Sequence, residues 1–520
     1  GDVDGDGLED FFVGGFSGIS AYYGEGQSEV ALFLGGPLGA RSYDDAHAHF
    51  AETPLDDGIK RGLSPGDVDV DGAGDVAFIA ECGAQVVVTD TKSKEELQES
   101  VAPLKEHYPN IVFHLGGHRE EDFISCDMVI KAAGVRLDSP YVAAARQAGV
   151  PVYMSTALAA QYAREAGARI VGVTGTRGKS TVTQMIFHTL EIAGCNGHHC
   201  TPEGAMVPIA PRERRVFLGG NVRGVSTLAL VPDIREGDVL VLELDSWQLQ
   251  GFGDLHISPD VAVFTNFLPD HQNYYKTMEE YFSDKANIFK YQQEGDVLIV
   301  GEQVAERVRG VPPLLAGEGR GEGFLVPPPI PDDWALRIPG AHNRENAALA
   351  KAALEALGLS ESEIMAGLES FAGVEGRLQL VREVDGVEIY NDNNATTPEA
   401  TIAALKALDT GERNIILIMG GADKGLDMSA LLYEIAKSCK RVILLAGTGT
   451  DRIAPLMADY SIYDDLEMAV GEALMGAHKG DIVLFSPAFA SFGMFRNEYE
   501  RNDRFLTIVR AKTERAAIHK

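Results

Sequence analysis

The residues Gly172-Val-Thr174-Gly175-Thr176-Arg-Gly178-Lys179-Ser180-Thr181 follow a short apolar run, Ala168–Val173, and lead into helical periodicity through Ile192. A glycine-rich turn between a strand and a helix N-terminus aims backbone N–H groups and the positive helix end at one point, which suits phosphate. Lys179 adds a point charge for β- and γ-phosphates, and Ser180 or Thr181 offers a hydroxyl to Mg²⁺. The spacing departs from the generic phosphate loop: five residues before Gly178 stands Val173, with a glycine one place earlier. Gly-Lys-Ser-Thr at a strand–loop–helix junction is still a specific signal for ATP. A second carboxylate-bearing strand end, Glu243 after the apolar run from Val239, could hold Mg²⁺ beside those phosphates.

The elements that must position these groups read as alternating strands and helices. Gln85–Asp90, Ile111–Leu115 and Asp127–Ala132 read as buried strands, Lys94–His107 and Ser139–Ala148 as helices. That alternation argues for parallel sheets with helices on both faces. Further apolar strands are expected at Val239–Leu244, Val261–Thr265 and Asn414–Met419. The chain has 520 residues, 45% hydrophobic and 23% charged, enough for several domains with real cores. No apolar run approaches the roughly 18 residues that span a bilayer. The net charge of −32, without a basic patch, argues against nucleic acid as a partner. Five scattered cysteines do not form a disulfide framework and fit a reducing compartment, so the cytoplasm is expected. The chain starts at Gly1 in the middle of a motif and reads as a piece of a longer frame.

Residues 1–75 differ from the rest, with 16 acidic and 3 basic residues. Asp2-Val-Asp4-Gly-Asp6-Gly-Leu-Glu-Asp10 recurs as Asp67-Val-Asp69-Val-Asp71-Gly-Ala-Gly-Asp75. Carboxylates at positions 1, 3, 5 and 9 with Gly at 6 suit a tight loop around Ca²⁺. Position 12 is Val13 or Phe78 rather than Glu, which argues against an EF-hand. Strand-like runs Phe11–Gly14, Ile19–Tyr23 and Val30–Leu34 lie between the copies. This segment resembles the FG-GAP repeat of integrin-type β-propellers. The cluster Cys195-Asn-Gly-His198-His199-Cys200 has soft donors suited to zinc; without a second cluster it reads as a polar loop.

Thr-Gly-Thr-x-Gly-Lys-Ser-Thr, followed in order by Glu243, Asn266-Phe-Leu-Pro-Asp270-His271, Asp284-Lys285-Ala-Asn287, Gly340-Ala-His342-Asn343-Arg-Glu-Asn346, Gly376-Arg377 and Asn391-Asp392-Asn-Asn394-Ala395-Thr396, resembles the Mur ligase family from about residue 75 to the end. The resemblance implies a three-domain α/β fold: a truncated Rossmann-like UDP-sugar domain (76–160), a central ATP-binding domain (161–373) and a Rossmann-like ligase domain (374–520). An all-β propeller-blade-like segment (1–75) would precede it. It implies ligation of glutamate to UDP-N-acetylmuramoyl-L-alanine through an acyl phosphate, in peptidoglycan synthesis, with ATP and Mg²⁺, by a monomer.

Residue by residue, the resemblance implies phosphate and nucleotide contacts at Gly175, Thr176, Gly178, Lys179, Ser180, Thr181, Arg377 and Asp392, with adenine at Asn343 and Asn346. It implies metal donors at Ser180, Glu243, His271 and Lys285, the last as a CO₂ carbamate. On periodicity alone Lys285 reads as an ordinary surface lysine. Asp90, Thr91 and Lys92 would face the uracil side, Asn221 the UDP-sugar, and Thr396, Lys424 and Ser491 the amino acid. The sequence departs from the family pattern in three places. The first strand and its glycine-rich diphosphate loop are missing before Asp75, and Val76–Glu81 reads as a remnant of the helix that would follow them. Asn394 stands where the family has a lysine, and Glu498 where it has an aromatic residue. These leave L-glutamate or another amino acid open. The alternatives are another Mur-type ligase, such as one of folylpolyglutamate synthase type, or a calcium-binding adhesion module carried by residues 1–75.

Overall fold

A computed structural model describes residues 10–13, 30–35, 70–194, 198–200, 206–208, 215–222, 225–271, 274–311, 323–495 and 497–518. The chain divides into two compact units. One runs to Pro328 and takes in Ala348–Ile364; the other holds Pro329–Ala347 and Met365 onward.

The first unit contains two sheets. The sheet nearer the N-terminus includes the strands Gln85–Asp90, Val112–Leu115, Met128–Lys131 and Val152–Tyr153. Their apolar residues pack into two clusters, one around Val86, Val88 and Leu104 and the other around Phe123, Val129 and Val142. Asp10–Val13 pairs parallel with both Gln85–Asp90 and Met128–Lys131, Phe11 opposite Val86 and Phe12 opposite Val129. Val30–Gly35 joins the same sheet in antiparallel register. Against the expectation of a separate propeller-like blade, these two strand runs pair with the α/β sheet, while the run Ile19–Tyr23 lies outside the described residues. Phe11, Phe12 and Val13 form an unbroken apolar run, the pattern of a parallel strand rather than an alternating one.

The second calcium loop is corrected as well. Val70–Glu81 is a helix, so Asp71 and Asp75 lie on helical backbone rather than on a cation-wrapping loop. Asp75 is buried and its carboxylate accepts a hydrogen bond from Ser226 Oγ at 2.5 Å. Asp10 lies in a strand, while Asp2, Asp4, Asp6, Asp67 and Asp69 fall outside the described residues. His198–Cys200, expected in a loop, is a short strand paired with Met206–Pro208.

The central sheet is all parallel, in the order Val216–Gly220, Val239–Glu243, Arg169–Thr174, Val261–Phe264, Val297–Val300. Its strands are almost continuously apolar because helices cover both faces. Ile170, Leu240, Leu242, Ala262 and Phe264 form the core on one face. The second unit has a six-stranded sheet, from Gln379–Val384 at one edge to Ser461–Tyr463 at the other, with separate clusters on its two faces. No helix among the described residues is long and apolar enough to cross a membrane.

Candidate active site

The phosphate loop leaves the middle strand, Arg169–Thr174, and enters the helix Lys179–Gly194. Its shape is set from the neighbouring strand end. Thr176 N–H donates to Asn266 O at 3.0 Å, and Arg177 N–H to Asn266 Oδ1 at 2.8 Å. Thr265 Oγ1 donates to Arg177 O at 2.5 Å, and Leu268 N–H to Thr176 Oγ1 at 2.9 Å. Gly175 has a φ of +147°, and a Cβ there would lie 1.9 Å from Thr265 Oγ1. Only glycine fits that position. Ser180 and Thr181 fall in the helix's first turn.

Lys179 Nζ donates to the Gly175 carbonyl at 3.2 Å. Lys285, at the end of helix Met278–Lys285, donates to the same oxygen at 3.0 Å and lies 3.3 Å from Thr174 Oγ1. The expectation of a surface lysine is corrected: Lys285 is 1% exposed, with its ammonium over the Tyr281 ring. Burial, and then the neighbouring Lys179 charge, hold its pKa well below the ordinary lysine value. The helix end carries Lys285 inward because Tyr281 and Phe282 on the same face join the central core.

Glu243 ends its strand as a buried carboxylate. Its carbonyl accepts from Asn221 N–H at 2.7 Å, and Gly220 before it would place a Cβ 2.0 Å from that oxygen. His271 follows Asp270 at a φ of +51° and packs against the Trp247 and Tyr281 rings. Burial holds its imidazole below the usual histidine value, which keeps a lone pair available for a metal at neutral pH. Asp245, which the sequence did not single out, caps helix Ser246–Asp254 in a capping box with Gln248.

At the carboxyl end of the first sheet, Asp90 is fully buried. Its Oδ1 accepts from Lys92 N–H at 2.8 Å, while Oδ2 has no hydrogen-bond partner among the described residues. Burial pushes its pKa up to about 6. Thr91 beside it is exposed.

The second unit gathers its own group. Asp392 is buried, with Oδ1 accepting from Leu378 N–H at 3.0 Å and Oδ2 from Ser486 Oγ at 2.7 Å. Burial pushes its pKa up to about 7. Arg377 is exposed nearby. Lys424 Nζ donates to Thr396 Oγ1 at 3.1 Å, and Ser491 is buried. Sequence reasoning missed Arg501, which is 0% exposed. Its guanidinium donates to Asn393 Oδ1 at 2.8 Å, Asn393 O at 2.9 Å and Phe489 O at 3.3 Å. It ties the loop carrying Asp392 to the loop before Ser491. Asn343 and Asn346 lie on one face of helix Ala341–Ala356, Asn346 Nδ2 donating to Asn343 Oδ1 at 3.3 Å.

Comparisons with known proteins now bear on this arrangement. The MurD-like N-terminal domain of Mur ligases matches residues 70–154, the Mur ligase middle domain 173–309, and the glutamate ligase domain 376–489. The UDP-N-acetylmuramoylalanine–D-glutamate ligase of Roseiflexus sp. (strain RS-1) is 37% identical over 85% of this chain and 96% of its own length. The enzyme of the same name from Borreliella afzelii (strain PKo) is 31% identical over 83% and 93%. The crystal structure of MurF ligase from Thermotoga maritima in complex with ADP aligns over 83% of this chain and 95% of its own, with 17% identity and a TM-score of 0.49. On the identity and coverage of the Roseiflexus and Borreliella enzymes, the chain belongs to the Mur ligase family, with an N-terminal domain of the MurD-like type.

Proposed function

We propose that this protein joins glutamate to the alanyl carboxylate of UDP-N-acetylmuramoyl-L-alanine at the expense of ATP, in cytoplasmic peptidoglycan synthesis. The observation that carries this reading is the convergence of Lys179 and buried Lys285 on one carbonyl of the phosphate loop. That is an ATP site with a second, low-pKa amine beside it.

The phosphate-loop amides and Lys179 hold the β- and γ-phosphates and stabilise charge on the transferring phosphoryl group. The alanyl carboxylate attacks it, ADP leaves, and an acyl phosphate forms. The amine of glutamate then attacks the acyl carbon, and phosphate leaves from the tetrahedral intermediate. Lys424, with Thr396 and Ser491, receives the carboxylates of glutamate. Arg377 and Asp392 support the nucleotide, Asn343 and Asn346 the adenine. Asp90, Thr91, Lys92 and Asn221 receive the UDP-sugar.

The buried Glu243 carboxylate and the His271 imidazole are donors suited to a divalent cation. Among the described residues no cluster of three or more His, Cys, Asp or Glu is present, and a further anionic donor would complete the set. A carbamate on Lys285 would supply it, formed as the amine adds to CO₂ and releases a proton, and the lowered pKa of that amine favours the reaction. Ser180, Glu243, His271 and carbamylated Lys285 would hold Mg²⁺, which lowers repulsion between the reacting anions.

The test is phosphate release by the full chain with ATP, Mg²⁺ and UDP-N-acetylmuramoyl-L-alanine, with D- or L-glutamate in parallel. Release that needs both the muramoyl substrate and D-glutamate is expected. Release independent of the muramoyl substrate would refute the reading.

A further inference from the structure

We propose that Glu498 is a specificity-determining residue: its carboxylate pairs with the ammonium of the incoming amino acid, while Lys424 takes a carboxylate of the same molecule. The proposal rests on the amino-acid reading of Thr396, Lys424 and Ser491 above and deepens it.

The strands Val387–Asn391, Ile482–Phe485 and Ile415–Gly420 lie side by side and parallel. Their carboxyl ends lead into the loops that carry Thr396, Ser491 and Lys424, and open α/β sheets bind ligands at that edge. Backbone hydrogen bonds stitch the three loops together. Ala422 N–H donates to Ala490 O at 2.9 Å, Ala490 N–H to Ala422 O at 3.2 Å, and Ala488 N–H to Ala395 O at 2.8 Å. Lys424 Nζ reaches Thr396 Oγ1 across the same edge.

Glu498 enters from a fourth element, the helix Glu498–Ile518. Asn497 caps that helix, its Oδ1 accepting from Glu500 N–H at 2.9 Å, so Glu498 opens the first turn. Residues three and four apart share a helix face. Three and four beyond Glu498 stand Arg501 and Asn502, both buried against the end of the strand Val387–Asn391 and the loop after it. Arg501 donates to Asn393, and Asn502 Oδ1 accepts from Asn391 Nδ2 at 2.8 Å. Glu498 therefore begins the helix on the face turned toward these loops, and its own carbonyl accepts from Asn393 Nδ2 at 2.9 Å. Its side chain is half-buried, with no hydrogen bond or ion pair among the described residues.

The charges at this edge are matched to a zwitterion. Burial lowers the Lys424 pKa, the Glu498 charge opposes that, and the Arg501 charge adds to it. The Arg501 guanidinium is already engaged by Asn393 and by Phe489 O. Lys424 and Glu498 thus offer opposite charges to one ligand. A dicarboxylate without an amine meets repulsion from Glu498. An α-amino acid sets a carboxylate on Lys424 and its ammonium on Glu498, so the same carboxylate both attracts the substrate and rejects the amine-free analogue.

The experiment is steady-state phosphate release by the full chain with ATP, Mg²⁺ and UDP-N-acetylmuramoyl-L-alanine. It reads the KM for D-glutamate and the inhibition constant of glutarate, the same dicarboxylate without the amine. Glu498→Gln, which keeps the shape and removes the charge, should raise the KM for D-glutamate about tenfold. It should leave the KM for ATP unchanged, and the inhibition constant of glutarate should stay the same or fall. Glu498→Ala should give the same pattern and stands in if Glu498→Gln fails to fold. An unchanged or lower KM for D-glutamate in a folded variant would overturn the proposal and leave the ligase reading intact. A loss shared equally by D-glutamate and glutarate would mark a structural role and overturn it too. A wild-type chain that releases no phosphate with either enantiomer of glutamate would overturn both the proposal and the ligase reading.

Discussion

Lys179 and Lys285, 106 residues apart in sequence, donate to the same oxygen, the carbonyl of Gly175, at 3.2 and 3.0 Å. Two ammonium groups on one carbonyl repel each other, and burial together with the Lys179 charge holds the pKa of Lys285 well below the ordinary lysine value.

Replacing Lys179 with Ala should lower kcat/KM for phosphate release by about a hundredfold or more, as loss of one preorganised charge donor does. Turnover at the wild-type rate would remove Lys179 from the phosphate site.

Lys285→Met should inactivate the enzyme yet raise its melting temperature at neutral pH. The folded pKa of Lys285 lies below the unfolded value. Between the two, the unfolded chain binds more protons, so this group costs stability at pH 7 and the cost fades as pH rises toward about 10. Thermal melts at pH 7 and pH 10 check it: the gain should be larger at pH 7.

Asp392 titrates with the opposite slope. Its folded pKa is raised to about 7 by burial, against about 3.9 when unfolded. The folded state holds the extra proton between those values, so its contribution is complete below about pH 4 and gone above about pH 8. Asp392→Asn should reduce the loss of stability between pH 5 and pH 8 by roughly 2–3 kcal/mol. Urea titrations of both proteins at the two pH values measure this.

Gly175→Ala should abolish ATP turnover while leaving the second unit folded. The added Cβ meets Thr265 Oγ1 at 1.9 Å, and that hydroxyl shapes the phosphate loop through Arg177 O. ATP binding by calorimetry, with circular dichroism of the same sample, checks both halves.

Asn394→Lys should lower the KM for D-glutamate severalfold and leave that for ATP unchanged. Asn394 is exposed, and its amide lies beside Gly376. A cation there would add to the Lys424 charge on an anionic amino acid. An unchanged KM for glutamate would show that position 394 does not face it.

The phosphate loop was legible because its chemistry is local: glycines, a lysine and hydroxyls within seven residues between a strand and a helix. The parallel strands were legible from their apolar runs, with ends shifted by a residue or two, as at Asn414–Met419 against Ile415–Gly420. Lys285 was misread by periodicity because its burial depends on which helix face meets the core, set by Tyr281 and Phe282. Of helix Val70–Glu81 only the second half, Val76–Glu81, was legible, because the aspartates and Gly72 and Gly74 before it read as loop. It forms because Val76 and Ile79 bury against the first sheet, a tertiary contact that outweighs local propensity. Arg501 had no signal at all. Two of its three acceptors are the backbone carbonyls of Asn393 and Phe489, and a carbonyl partner leaves no trace in residue identity. The strand runs at Phe11 and Val30 were legible as strands, but which sheet they join depends on pairing across more than 70 residues.

The most direct measurement is the fate of the carboxylate oxygen. UDP-N-acetylmuramoyl-L-alanine labelled with ¹⁸O in its carboxylate is turned over with ATP and D-glutamate, and the released phosphate is weighed by mass spectrometry. Passage through an acyl phosphate places one labelled oxygen in each phosphate released. Phosphate that carries no label, from an enzyme that still makes ADP, would contradict carboxylate activation at this site.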